Sequence, residues 1–190
     1  MKCISWNIRG IAKEDAQNRM RKLVRNYNPD YLGILEPMIF PKDIPYGCLQ
    51  SLGLSQTILH NDRGDKKPNI WILYKNNCLV PQILSMSNQH ITVEVNGVFL
   101  SVVHGHTYYV RRRELWERLS ATSGKPWLLM GDFNSYLCNE EKKGVRKPIL
   151  AGMEDFREFL SSNCLLEVPN KGIKFTCATK DLAADGYSAR

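Results

Sequence analysis

No apolar stretch in the 190 residues approaches the length of a membrane-spanning helix, which excludes a helical membrane protein and gives no reason to expect a membrane partner. Nor does an apolar core of leader length follow Met1-Lys2-Cys3, so the expectation is a soluble, intracellular protein. The six cysteines, Cys3, Cys48, Cys78, Cys138, Cys164 and Cys177, include no C-x-x-C pair. That spacing excludes the common structural zinc site and leaves free, buried thiols in a reducing compartment as the economical reading. Repeats, low-complexity segments and linker-like composition are absent, and the length suits one sizeable domain. Histidine is scarce: there are four, and none follows His106. Acidic residues number 19 against 26 lysines and arginines, a net charge of +7. That balance suits a polyanionic partner such as nucleic acid, although a basic soluble protein without such a partner has the same composition.

What is present is an alternation of periodicities. Lys2 to Asn7 reads as a strand closed by Gly10. From Asp15 to Tyr27, the residues Ala16, Met20, Leu23, Val24 and Tyr27 share one face of an amphipathic helix, which Asn28-Pro29-Asp30 ends. Tyr31 to Leu35 is almost wholly apolar and predicts a strand buried on both faces, ending at Glu36-Pro37. Strand signals follow at Thr57–His60 and Asn69–Tyr74. A hairpin pairs His90–Val95 with Val98–Val103 across Asn96-Gly97, the turn dipeptide that supplies two positive φ angles. Arg113–Leu119 predicts a helix, Trp127–Met130 a strand, and Met153–Leu160 a helix with Met153, Phe156 and Leu160 on one face. The order, α/β at both ends around a meander, is an α+β pattern.

Three of these strands end in groups suited to a metal or a phosphate. The first ends at Asn7 and the second at Glu36; the third runs through Leu128-Leu129-Met130-Gly131 into Asp132 and Asn134. Ends of neighbouring strands lie side by side, so distant residues can converge there. The set fits phosphodiester hydrolysis. Mg²⁺ takes hard oxygen ligands and needs only one or two carboxylates, here Glu36 assisted by the Asn7 amide oxygen. Asp132 can orient and deprotonate a water, and Asn134 can donate to a phosphate or to Asp132 without adding negative charge. Taken singly, Asn7 also reads as a strand-end residue, Glu36 as a loop acid and Asp132 as a turn residue.

Trp6-Asn7-Ile8-Arg9-Gly10, Ile34-Leu35-Glu36-Pro37, Arg113-Glu114-Leu115-Trp116 and Gly131-Asp132-Phe133-Asn134, in this order, resemble the endonuclease/exonuclease/phosphatase (DNase I-like) superfamily. The nearest resemblance is to the apurinic-type endonuclease domain of plant non-LTR (LINE-type) retrotransposons, over residues 1–176, with 177–190 an unmatched tail. The Met153–Leu166 segment and Lys171-Gly172-Ile173-Lys174-Phe175-Thr176 share in it. The resemblance implies a four-layer α/β/β/α sandwich and a DNA-nicking phosphodiesterase with one Mg²⁺ or Mn²⁺ site. Asn7 and Glu36 match the metal positions, and Asp132 and Asn134 the catalytic pair. It also implies a nuclear rather than cytoplasmic location. Two departures stand out. His104, followed by Gly105-His106, occupies a position where the family often has a catalytic Tyr; His104 is a candidate phosphate donor. The family's closing strands and Ser-Asp-His segment have no counterpart, so the expectation is a C-terminally truncated fold with weak or lost activity and self-association through an exposed sheet edge. The alternatives are a non-catalytic copy that retains nucleic-acid binding, or a phosphatase of the same superfamily.

Two basic clusters complete the candidates. Arg111-Arg112-Arg113 precedes the predicted third helix, and Lys142-Lys143 follows the G-D-F-N loop. Both can neutralise DNA backbone phosphates, and both read equally as solvated charge. Tyr108 and Tyr109 beside the arginines can stack on a base.

Overall fold

The computed structural model describes residues 1–119, 125–142 and 148–169, in two compact units, Met1–Asn134 and Ser135–Arg190. The first unit holds two four-stranded sheets. One has the order β1 (Cys3–Asn7), β2 (Tyr31–Leu35), β4 (Ile70–Tyr74), β3 (Leu59–His60); the other runs β5 (Gln82–Met86), β6 (His90–Val95), β7 (Val98–His104), β8 (Trp127–Asp132). β1 and β2 are parallel across α1 (Glu14–Tyr27), and β7 and β8 are parallel across α3 (Tyr109–Arg118). The remaining pairings are antiparallel. Among the described residues, β1 and β8 each pair on one side only.

Period-two alternation decides the layers. Leu32, Ile34, Trp71 and Leu73 face α1 and the short α2 (Tyr46–Gln50), joining Met20, Val24 and Leu49 in one core. Their neighbours Tyr31, Leu35, Ile70, Ile72 and Tyr74 face the other sheet, meeting Ile91, Val93, Val95, Leu100 and Val102 in a second core. The sheets approach closely at Gly33, where a methyl group would lie 2.7 Å from Val102 Cγ1. Because that inner face is filled, the α3 crossover lies on the far side of the second sheet, which completes the four-layer arrangement.

The elements differ from the sequence reading in identifiable places. α1 follows its apolar stripe, except that Tyr27 at its end is 59% exposed. β2 is buried throughout, whereas β8, which pairs on one side only among the described residues, is half-buried. α3 starts four residues before the predicted Arg113, so Arg111–Arg113 lie within the helix and not ahead of it. Of the described cysteines, all free, only Cys48 is buried, against the expectation of buried thiols. In the second unit α4 spans Leu150–Ser162, with Met153, Phe156 and Phe159 buried and Leu160 partly so. Lys143, Cys177 and Lys171–Thr176 lie outside the described residues. No helix among the described residues is long and apolar enough to cross a membrane.

Gly131 is fixed by space as well as by backbone. Its φ is +141°, and a Cβ there would fall 2.0 Å from the Val103 carbonyl oxygen on the paired strand. We predict that Gly131→Ala lowers unfolding free energy by about 3 kcal/mol or more, measured by urea denaturation. Wild-type stability in that variant would contradict the tight β7–β8 pairing.

Candidate active site

The strand directions bring the C-terminal ends of β1, β2, β7 and β8 and the N-terminal end of β4 to one end of the first unit. Alternation then aims the side chains. Cys3 and Ser5 share the inward parity of β1 with Asn7; Leu100 and Val102 share it with His104; Leu128 and Met130 share it with Asp132. His104 and Asp132 are direct register partners. Asn7, His104 and Asp132 are therefore the last inward positions of their strands.

Glu36 needs a different device. Leu35 packs inward, so an extended Glu36 would project to the opposite face. Instead its φ is +52°, in the left-handed region that costs a non-glycine residue about 1 kcal/mol or more. The backbone on both sides holds it there: Glu36 N donates to Asn69 O at 2.9 Å, and Gly10 N donates to Glu36 O at 2.8 Å. Gly10 itself has φ +104°, which is why the W-N-x-R-G segment ends in glycine. The turned carboxylate accepts at Oε1 from Asn7 Nδ2 at 2.7 Å and from His104 Nε2 at 3.2 Å.

The tautomer of His104 follows from a network that sequence reasoning missed. Asn61, fully buried, accepts at Oδ1 from the Asn69 and Ile70 amides and donates from Nδ2 to Asn69 Oδ1 and Ser87 O. This orients the Asn69 amide, whose Nδ2 lies 2.7 Å from His104 Nδ1. Nδ1 is then an acceptor, and the neutral ring carries its proton on Nε2, toward Glu36. Asn61 and Asn69 are positioning residues; in sequence Asn61 falls in the polar connection between two strand signals and Asn69 opens the second of them, and neither reads as part of a site.

Asp132 and Asn134 sit beside this group with partners of their own. Asp132 Oδ1 accepts from the backbone N of Asn134 at 3.0 Å, a two-residue turn with Asn134 at φ +48°. The Asn134 side chain donates from Nδ2 to Gly105 O at 2.8 Å, while Gly105 N donates to Asp132 O. The Asn134 amide thus ties the β7 and β8 ends together, which differs from the expected donation to a phosphate or to Asp132. The expected basic cluster also divides. Arg112 is buried and donates from Nη1 to the His106 and Thr107 carbonyls, so it is a scaffold residue and not a surface contact for phosphate. Arg111 and Arg113 are exposed, Arg113 over the Tyr109 ring. Lys142, in the second unit, sits over the Tyr136 ring.

The donor set suits a hard divalent cation. Asn7 Nδ2 is committed to Glu36, which leaves Asn7 Oδ1 buried with no hydrogen-bond partner among the described residues. A buried amide oxygen without a partner is costly, and a cation would satisfy it. Both bonds to Glu36 fall on Oε1, leaving Oε2 as a second hard oxygen. Among the described residues no group of three or more His, Cys, Asp or Glu side chains clusters for a metal, so a cation here would be held by one carboxylate and an amide oxygen, the sparse shell that a strongly hydrated divalent cation accepts.

A search of curated sequences found no match. Among solved structures, an AP endonuclease from Archaeoglobus fulgidus aligns with a TM-score of 0.67 at 12% identity, covering 83% of this chain and 69% of that one. The 3' phosphatase NExo from Neisseria bound to product DNA hairpin, and the 3'-5' exonuclease NExo from Neisseria meningitidis, each align with a TM-score of 0.63 at 17% identity, covering 85% of this chain and 71% of theirs. At these identities the likeness is one of fold. The sequence match is to the Endonuclease/Exonuclease/phosphatase family over residues 4–152, which takes in β1 through the start of α4. On that match, and with the fold in agreement, the chain belongs to the Endonuclease/Exonuclease/phosphatase family.

Proposed function

We propose that this end of the sheets is the active site of a divalent-metal-dependent phosphodiesterase acting on DNA. The observation that carries it is Glu36, held in a strained backbone conformation with its carboxylate against Asn7 and against His104, the direct register partner of Asp132. Strain maintained by surrounding hydrogen bonds at a polar strand end is the form functional sites take. Glu36 and Asn7 would hold the cation, Mg²⁺ or Mn²⁺, which when bound polarises the phosphoryl oxygen and offsets developing charge. Asp132 orients the attacking water and takes its proton as the new P–O bond forms and the bond to the leaving oxygen breaks. His104 holds Glu36 through Nε2, which commits the one proton of the neutral ring to that carboxylate. Asn134 keeps Asp132 and the Gly105 loop in register. The exposed Arg111 and Arg113 and the net charge of +7 support a polyphosphate substrate. A nuclear location and a retrotransposon origin are part of the same reading and rest on the sequence resemblance.

The test is nicking of supercoiled plasmid with Mg²⁺ or Mn²⁺. We expect nicking that Asp132→Ala abolishes. Salt-sensitive DNA binding without any metal-dependent nicking would instead support a non-catalytic DNA-binding copy. Hydrolysis of small phosphomonoesters alone would support the phosphatase alternative.

A further inference from the structure

Just beyond His104 the chain presents a group that the hydrolytic machinery does not use. Tyr108 is 71% exposed, and its ring stacks on His106 with centroids 5.5 Å apart and planes 27° from parallel. The His106 backbone is fixed, its N donating to Gln89 Oε1 at 2.7 Å. The Tyr108 backbone N donates to His106 Nδ1 at 3.0 Å, so the ring's single proton in the neutral state sits on Nε2. Burial, then the charges of Arg111 and Arg112, push His106 toward that neutral state. Yet Nε2 lies 3.4 Å from Arg111 Nη1. Two donors therefore face each other, an arrangement that is not a hydrogen bond and that an anionic oxygen would satisfy once the exposed Arg111 side chain moves back to admit it.

We propose that His106, Tyr108 and Arg111 form a nucleotide subsite that selects an unpaired or single-stranded nucleotide flanking the bond to be cut, an inference that rests on the phosphodiesterase reading. The exposed Arg111 side chain moves back to admit a phosphate oxygen, which accepts from His106 Nε2–H and from the guanidinium, and the attached base stacks on the outer face of Tyr108. A base paired and stacked in a duplex has no free face to offer Tyr108, so the ring discriminates for unpaired substrate. His106 is two residues from His104, at most about 7 Å along the chain, so the subsite lies within one or two nucleotides of the proposed scissile phosphate.

The experiment uses the full chain in EDTA, so that binding is read without hydrolysis. Fluorescence anisotropy compares a labelled single-stranded oligonucleotide with a blunt duplex of the same sequence. Tyr108→Ala should weaken single-strand binding about five- to tenfold and leave duplex binding unchanged, while Tyr108→Phe restores it. Arg111→Gln should reduce the slope of log affinity against log salt by about one. Equal single-strand affinity for wild type and Tyr108→Ala, or an equal loss on duplex, overturns the stacking assignment; an unchanged salt slope overturns the phosphate assignment. Nicking that persists alongside a silent Tyr108→Ala would sink the subsite alone. A clear Tyr108 effect without nicking would sink the hydrolytic reading and leave a site for unpaired nucleotides with no bond to cut beside it.

Discussion

Glu36→Gln is expected to lower metal-dependent DNA hydrolysis by about two to three orders of magnitude and to raise the half-saturating Mg²⁺ concentration at least about tenfold. The geometry leaves the amide no good orientation. Oε1 of Glu36 accepts from Asn7 Nδ2 and His104 Nε2. If the glutamine oxygen keeps those bonds, its NH₂ group occupies the position of Oε2 and repels a cation. If the amide flips, NH₂ faces two donors and the Asn7–His104 arrangement opens. Folding should change little, because the left-handed backbone at Glu36 is held by Asn69 O and Gly10 N and not by its side chain. The check is a plasmid-nicking rate across a Mg²⁺ series, with urea denaturation on the same samples. A near wild-type rate would remove Glu36 from the cation site.

The second large effect concerns stability against pH. His90 is 1% exposed on β6, with its ring between Ser87 Oγ at 2.8 Å from Nδ1 and Ser85 Oγ at 3.2 Å from Nε2. Burial first, and the Arg118 charge second, lower its pKa from 6.5 to about 4. The folded value lies below the unfolded one, so between those pH values the unfolded chain binds a proton that the folded chain refuses. Stability is therefore full above pH 6.5, falls on acidification, and stops falling from this cause below about pH 4. The loss across that window is about 3 kcal/mol, a large part of the stability of a domain this size. Asp30, whose pKa is lowered chiefly by the Lys2 amide, acts in the opposite residue class but the same direction. Its stabilisation is present above 3.8 and lost only as the pH falls through its lower folded value, so the two windows separate. Urea denaturation of wild type and His90→Asn from pH 7.5 down to pH 4 should show the steep fall in wild type only. Parallel curves would place the acid sensitivity elsewhere.

How much of this was legible in the sequence depends on the type of signal. The β1–α1–β2 opening was readable because the apolar period changes from two to nearly four and back, and the structure follows it within a residue or two. The Asn96-Gly97 hairpin was readable because its turn demands two positive φ angles, found at 49° and 77°. β5 was not. It is an edge strand with Leu84 and Met86 partly in solvent and a bulge between Ile83 and Ser85, so no alternation survives in its sequence. At the site, Asn7, Glu36 and Asp132 announced themselves as polar residues ending apolar runs. Asn61 and Asn69 did not, because the first lies in a polar connection between strands and the second opens a strand, and their role is fixed by a contact across 35 residues from Asn69 to His104. Arg112 misled for a related reason: a run of three arginines looks solvated, but a helix started at Tyr109 turns the middle one inward.

Labour at the proposed site divides between Glu36, which would bind the cation, and Asp132, which would handle the water. One measurement separates the two roles: initial nicking rates of wild type, Glu36→Gln and Asp132→Ala across a shared Mg²⁺ titration. For Asp132→Ala we predict a rate at saturating Mg²⁺ reduced by about two orders of magnitude or more, with the half-saturating Mg²⁺ concentration unchanged. For Glu36→Gln we predict that half-saturation moves to higher concentration. Undiminished nicking by Asp132→Ala at saturating Mg²⁺, or a wild-type Mg²⁺ dependence in Glu36→Gln, would contradict the assignment of this end of the sheets as the hydrolytic site.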